Sequence, residues 1–201
     1  MTLAYAQWWE CAACTPEWYA RIHQERAVVH GLFLTRVGAI ENEVDVSSVL
    51  EVGGGMNTCY PFRFQKYRYV GCDISKRATN WNKANLPGEF WCGDVTEMKV
   101  AEKFDLVFSH AVVDHVPDIP RFLLSLSRWA SRVLMVTSYS GWFVDLSDHQ
   151  YTWSDSQQCF YNKMAPELAR VLLCDDGWAP VVAEPIPGPG GKVETLLTAR
   201  R

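Results

Sequence analysis

Three carboxylates stand at the ends of short apolar runs: Glu51 in Val49-Leu50-Glu51-Val52, Asp73 in Tyr69-Val70-Gly71-Cys72-Asp73, and Asp94 in Phe90-Trp91-Cys92-Gly93-Asp94. A fourth run, Phe104 to Phe108, ends in Ser109-His110. An ionised carboxylate only accepts hydrogen bonds, and those it takes from hydroxyl or amino donors are among the stronger ones available. Directly after the first run comes Gly53-Gly54-Gly55. Glycine takes up positive φ without a Cβ clash and leaves room for a ligand against bare peptide. A glycine run at the C-terminal end of a strand therefore reads as a nucleotide-binding turn.

The elements that must position these groups follow from periodicity. The first 45 residues read as helical, Tyr5 to Cys14 and then Glu17 to about Val37, with Trp18, Ile22, Val29 and Leu32 as an approximate apolar stripe. From Val49 onward strand and helix alternate, which implies a parallel sheet covered on both faces. Pro61 falls where the first crossover helix would get under way, so that helix is short or replaced by a loop. Pro120 opens a helix through Trp129, Arg132 to Thr137 reads as the fifth strand, and Pro166 starts a helix that Gly177 ends. Trp178 to Glu184 and Lys192 to Ala199 are joined by a Pro/Gly turn and read as a hairpin, which makes the last strand antiparallel to its neighbour.

With these motifs in that order, the chain from about Val49 to Arg201 resembles the class I S-adenosylmethionine-dependent methyltransferases. The resemblance implies an α/β fold, a Rossmann-like seven-stranded mostly parallel sheet with helices on both faces and an antiparallel C-terminal hairpin strand. Its 201 residues suit one well-filled domain. Residues 1–45 would be a helical cap and 46–201 the core, with 138–161 as an insertion on the substrate side. In that family the glycine turn lies against the donor's aminocarboxypropyl tail, which Glu51 helps to position. Asp73 would accept from both ribose hydroxyls, and Asp94 would lie near the adenine amino group. Carried over residue by residue, the cofactor set is Glu51, Gly53, Gly54, Gly55, Asn57, Asp73, Ile74, Asp94, Val95, Ser109 and His110. Asn57 stands where the family often has another glycine, and Asn visits the left-handed region more readily than most residues.

A dinucleotide fold is the first competitor, because Asp73 lies 20 residues beyond Gly53, the spacing also expected there. Thr58 stands where a dinucleotide fingerprint has its third glycine, and the terminal hairpin is foreign to that fold, so an NAD(P)-dependent oxidoreductase is the weaker reading. A non-catalytic donor-binding scaffold is the second competitor.

Methyl transfer is an in-line displacement at a donor that is already activated. The protein must hold the nucleophile aligned and remove its proton where needed, and no metal is required. Ligands of open α/β sheets sit outside the carboxyl ends of the strands, which puts Ser109, His110, Asp114 and His115 at the reacting face. His115 reads as a buttress of the turn, and His110 as the residue that meets cofactor or substrate. The aromatic-rich stretch from Ser138 to Tyr161 is long for a connection and reads as a substrate lid. Within it His149 is the candidate base, because an imidazole titrates near neutrality, with Tyr151 assisting. The expected acceptor is a hydroxyl of a small polar metabolite, sugar or natural product.

A net charge of −4 provides no broad basic footprint for nucleic acid. The amino terminus lacks the pattern of a signal peptide and no window approaches a membrane span, so the expected location is the cytoplasm, with no membrane partner. The 7 cysteines have no disulfide-framework spacing; Cys72 and Cys92 fall in apparent strands as reduced core thiols, and Cys11 and Cys14 form a CxxC without a second half at zinc spacing.

Overall fold

The computed structural model describes residues 7–11, 14–56, 59–139 and 146–201. A seven-stranded sheet forms the centre. Its strands are β1 (Ser48–Val52), β2 (Arg68–Asp73), β3 (Glu89–Cys92), β4 (Phe104–His110), β5 (Ala130–Ser138), β8 (Val181–Pro187) and β9 (Val193–Arg200), in the order β3-β2-β1-β4-β5-β9-β8. A separate two-stranded ribbon pairs β6 (Trp153–Ser154) with β7 (Cys159–Phe160). Strand β9 runs antiparallel to both β5 and β8, while β1 to β5 are parallel. The hairpin and the mostly parallel sheet read from the sequence are therefore present.

Side chains alternate across the sheet with the period of two that a pleated strand imposes. Val49, Leu106, Phe108, Met135 and Leu196 face one core, shared with α2 (Ala27–Glu41) and the one-turn α3 (Tyr60–Arg63). Leu50, Val107, Leu134 and Leu197 face the other, shared with α5 (Ile119–Trp129) and α6 (Pro166–Asp175). The brevity of α3 agrees with Pro61 at its start. Asp118 caps α5 by accepting from the Arg121 amide at 2.9 Å, and the Ser75 hydroxyl caps α4 (Lys76–Asn85) through the Ala78 amide at 3.0 Å.

The amino-terminal part departs from the expected long helix. A short 3-10 turn, Trp8–Glu10, precedes α1 (Pro16–Glu25), and Arg26 separates α1 from α2 with φ −103° and ψ 14°. This break resets the helical phase, so the buried stripe of α2 is Val29, Phe33, Val37 and Ile40, with Leu32 only half-buried. Burying side chains of this size is worth about 1.5–3 kcal/mol each. His30 shares that face with Phe33 and Val37. Cys72 is buried as expected, whereas Cys92 is exposed, because it sits at the end of the edge strand β3.

The corner beyond β4 is held by a buried carboxylate. Asp114, in the 3-10 turn Val113–His115, accepts from the Ser138 hydroxyl at 2.6 Å and the Tyr139 amide at 3.1 Å. Its carbonyl accepts from the Asn162 amide at 2.7 Å. One residue thereby joins the ends of β4 and β5 to the segment before α6. We expect Asp114→Ala to lower the unfolding free energy by about 3 kcal/mol, since two bonds to a charged acceptor are lost and their donors stay buried. Urea titration against wild type measures it.

Candidate functional site

The crossovers on either side of the β1/β4 boundary leave toward opposite faces of the sheet, and the carboxyl ends of these strands open into a cleft of about 760 Å³. That is within the ~300–1,000 Å³ typical of small-molecule sites. Glu51, Gly53, Gly54, Gly55, Asp73, Ile74, Asp94, Val95 and His110 all line it. Asn57 lies outside the described residues.

Glu51 is 2% exposed and accepts from the hydroxyl of Tyr69 on β2. Gly53 and Gly55 have φ of +80° and +62°, the left-handed region where a side chain is strained. The space a Cβ would need there is filled by protein. An added Cβ would lie 2.3 Å from Val112 at Gly53 and 2.1 Å from the Tyr19 ring at Gly55. The turn is thus shaped by packing as well as left open to a ligand.

Asp73 ends β2 with one carboxylate oxygen on the Gly55 amide and the other on the Ser75 amide, both at 2.8 Å. Burial raises its pKa and the two amides pull it back. Each oxygen keeps a second lone pair, so the group can still accept from two ligand hydroxyls. Asp94 accepts from the Thr96 amide at 2.9 Å. Over this end of the cleft runs the Trp8–Glu10 turn. The Trp9 carbonyl accepts from the Ser75 hydroxyl at 3.1 Å, and the Glu10 carboxylate accepts from the Lys76 and Arg77 amides at the start of α4.

The other half of the cleft is walled by α1 and α2, which the sequence reading treated only as a cover. Arg26, His30, Tyr60 and Glu194 line it beside His110. Arg26 and Glu194 form an ion pair at 2.6 Å with side chains 13% and 2% exposed. His30 Nδ1 lies 2.6 Å from the Tyr60 hydroxyl, His110 Nδ1 lies 2.8 Å from the Thr137 hydroxyl, and the two imidazoles are 4.5 Å apart between centroids. Burial, reinforced by His23 and Arg26, pushes His30 down to about 4. Burial likewise holds His110 well below the usual histidine value. Both rings are neutral at neutral pH. The signal that could have found His30 is its place on the α2 stripe once the break at Arg26 is known.

Three sequence-assigned residues take other roles, and a fourth, His115, has the one expected of it. The Ser109 hydroxyl donates to the Val52 carbonyl at 3.0 Å, tying β4 to β1 beneath the cleft, and does not line it. His149 Nδ1 accepts from the Ala165 amide at 3.0 Å, at the start of α6, and the Tyr151 hydroxyl accepts from the Ile119 amide at 3.1 Å, at the start of α5. Neither lines the cleft; each satisfies a free amide at a helix amino terminus. His115 is a buttress, its Nδ1 on the Phe160 carbonyl at 2.7 Å and its Nε2 on the Tyr139 hydroxyl at 3.1 Å. Of the 138–161 insertion, residues 140–145 lie outside the described set, and Tyr139, Gln157 and Tyr161 reach the cleft.

The family described as methyltransferase domain matches residues 50–132, which span the glycine turn and all three acidic strand ends. This segment carries the motifs on which the resemblance to the class I S-adenosylmethionine-dependent methyltransferases rests. The chain is 28% identical to a ubiquinone biosynthesis O-methyltransferase of Rhodopseudomonas palustris, over 47% of this chain and 41% of that one. It is 32% identical to its Nitrobacter winogradskyi namesake, over 37% and 31%. The chain thus spans less than half the length of these curated relatives. Among solved structures, a methyltransferase from Mesorhizobium loti superposes with a TM-score of 0.64 at 14% identity, covering 82% of this chain and 96% of that one. The magnesium protoporphyrin IX methyltransferase of Synechocystis does so with 0.64 at 15%, covering 90% and 87%. At such identity these superpositions establish the shared fold.

The neutral imidazoles make the protein's stability pH-dependent. In the unfolded chain His30 binds its proton near the ordinary 6.5, in the folded one only at about 4. The unfolded state therefore holds more protons in that window, and stability falls as pH drops through it, by up to about 3 kcal/mol from this residue. His30→Gln should flatten the pH dependence of the urea midpoint between those values; an unchanged slope would contradict the neutral, buried state.

Proposed function

We propose that this methyltransferase moves the methyl group of S-adenosylmethionine to a hydroxyl oxygen of a small metabolite or natural product bound between the glycine turn and the α1–α2 wall. The observation that carries the reading is the convergence of Glu51, Asp73 and Asp94 on one cleft whose far half is left to a second molecule. When bound, the donor supplies an activated methyl carbon on a sulfonium. The chain's residues bind and orient. Asp73 accepts from the ribose hydroxyls while held by the Gly55 and Ser75 amides, Asp94 serves the adenine end, and Glu51 the amino-acid tail. Trp8 and Trp9 cover the donor end and exclude water, which strengthens every polar contact beneath them. On the acceptor side His110 is a neutral hydrogen-bonding group rather than a cation.

An oxygen acceptor is supported by the matched relatives, which are O-methyltransferases by name. The antiparallel β9 and the methyltransferase-domain match both speak against a dinucleotide oxidoreductase. No helix among the described residues is long and apolar enough to cross a membrane.

Calorimetric titration with S-adenosylhomocysteine, with NAD and NADP in parallel, tests the reading. Saturable binding of the first alone is expected. Asp73→Ala should weaken it by about 2–5 kcal/mol, the usual cost of truncating one partner of a buried charged hydrogen bond. Equal binding by that variant would overturn the placement of the ribose. Labelled methyl transfer from S-adenosylmethionine into a metabolite extract then separates turnover from binding alone.

A further inference from the structure

Cys11 and Cys14, the CxxC of the sequence, have no part in the donor site described above, yet the fold brings their thiols together. The sulfurs lie 3.6 Å apart, and the Cys14 amide donates to the Cys11 carbonyl at 3.2 Å. A turn closed by such a bond keeps its first and fourth Cα atoms within about 7 Å, close to the separation that a disulfide spans. No other two cysteines among the described residues share a hydrogen bond.

The two thiols differ in access. Cys11 is half-buried, whereas Cys14 is 1% exposed and packs with Tyr19, Met56 and Ala78. Burial first, then the Cys11 thiol and, least, Asp73 push the Cys14 thiol up to about 12, against the pull of Arg77. Cys11 is therefore the sulfur an oxidant reaches. Once Cys11 is capped, its own upward push on Cys14 is gone. The Arg77 guanidinium, which donates to the Cys11 carbonyl at 2.8 Å, stays in place to favour the Cys14 thiolate.

The pair also sits at a joint. The Cys11 amide donates to the Trp8 carbonyl at 3.0 Å and the Cys14 thiol to the same oxygen at 3.4 Å, which ties the start of α1 to the Trp8–Glu10 turn. Trp8 and Trp9 line the donor end of the cleft, and the Tyr19 ring packed with Cys14 is the one that abuts Gly55. Hydrogen bonds alone hold this joint while both cysteines are reduced. A covalent bond across it excludes open arrangements of the turn more than the closed one, in which the sulfurs are already neighbours.

We propose that Cys11 and Cys14 are a redox site oxidised by a small-molecule disulfide, and that the Cys11–Cys14 bond so formed holds the Trp8–Glu10 turn closed over the donor. The Cys11 thiolate attacks one sulfur of the small disulfide, forms a mixed disulfide and releases a thiolate that takes up the proton Cys11 lost. The Cys14 sulfur, giving up its own proton, then attacks Cys11 Sγ and releases the second thiol. Two protein thiols are oxidised to one disulfide, and one small disulfide is reduced to two thiols. The effect on the donor rests on the methyl-transfer reading above; the oxidation itself does not.

The test uses the full chain with Cys59→Ser, Cys92→Ser and Cys174→Ser, which removes the exposed thiols. It is equilibrated with reduced and oxidised glutathione, quenched in acid, alkylated and mapped by peptide mass spectrometry. A Cys11–Cys14 disulfide is expected. Adding Cys14→Ala should stop the reaction at a glutathione adduct on Cys11, and adding Cys11→Ser instead should leave Cys14 unmodified. Calorimetry should show the oxidised form binding S-adenosylhomocysteine at least fivefold more tightly than the reduced form, with neither of these two variants responding to glutathione. By linkage, saturating S-adenosylhomocysteine should favour the disulfide by the same factor. No disulfide in fully oxidised glutathione, or an adduct on Cys14 with Cys11 free, would overturn the redox site. A disulfide that left affinity unchanged or weaker would overturn the closure. Disulfide formation without S-adenosylhomocysteine binding in either form would strike instead at the methyl-transfer reading.

Discussion

Strands β1 and β4 lie side by side, yet the chain reaches their other neighbours by crossovers on opposite faces of the sheet. No helix can cover the carboxyl ends at that boundary, and a crevice results from topology alone. Every feature of the site is arranged around this gap. The glycine turn leaves β1 into it, Asp73 and Asp94 end the strands on one side, and His110 ends the strand on the other.

Two kinds of force then shape the crevice. On the donor side backbone amides hold the carboxylates. Asp73 takes the Gly55 and Ser75 amides, so its carboxylate and the turn are fixed by the same bonds. On the acceptor side the wall depends on a long-range ion pair, Arg26 with Glu194, 168 residues apart. A buried pair of this kind adds little net stability, because desolvation offsets much of the Coulomb attraction. Its consequence is geometric. It fixes the break between α1 and α2 against β9, and the apolar face of α2 then carries His30 to the cleft beside His110.

Much of the fold was legible because its signals are local. Apolar runs closed by an acid, the glycine triplet, prolines at helix starts and the Pro/Gly turn before β9 each act within a few residues, and the structure has strands, helices and hairpin there. The misplacements share a different cause. The helix from Glu17 to about Val37 was read without its break because Arg26 has no Gly or Pro beside it, and of the buried face of α2 only Val29 and the half-buried Leu32 were found. His149 and Tyr151 were read as catalytic from residue type, but amides at the starts of α6 and α5 claim them. Ser109, correctly placed at the end of β4, spends its hydroxyl on the Val52 carbonyl.

The sequence by itself determined the donor half of the site, since a carboxylate at the end of a parallel strand and a glycine turn beside it need only strand order to meet. Tertiary structure alone decided the acceptor half. His110 was marked by its place at the end of β4, but Arg26, His30, Tyr60 and Glu194 belong to α1–α2, α3 and β9, and none of these is marked by spacing. The two imidazoles are held neutral only when burial strips water from them, and Arg26 meets Glu194 only when β9 is in place.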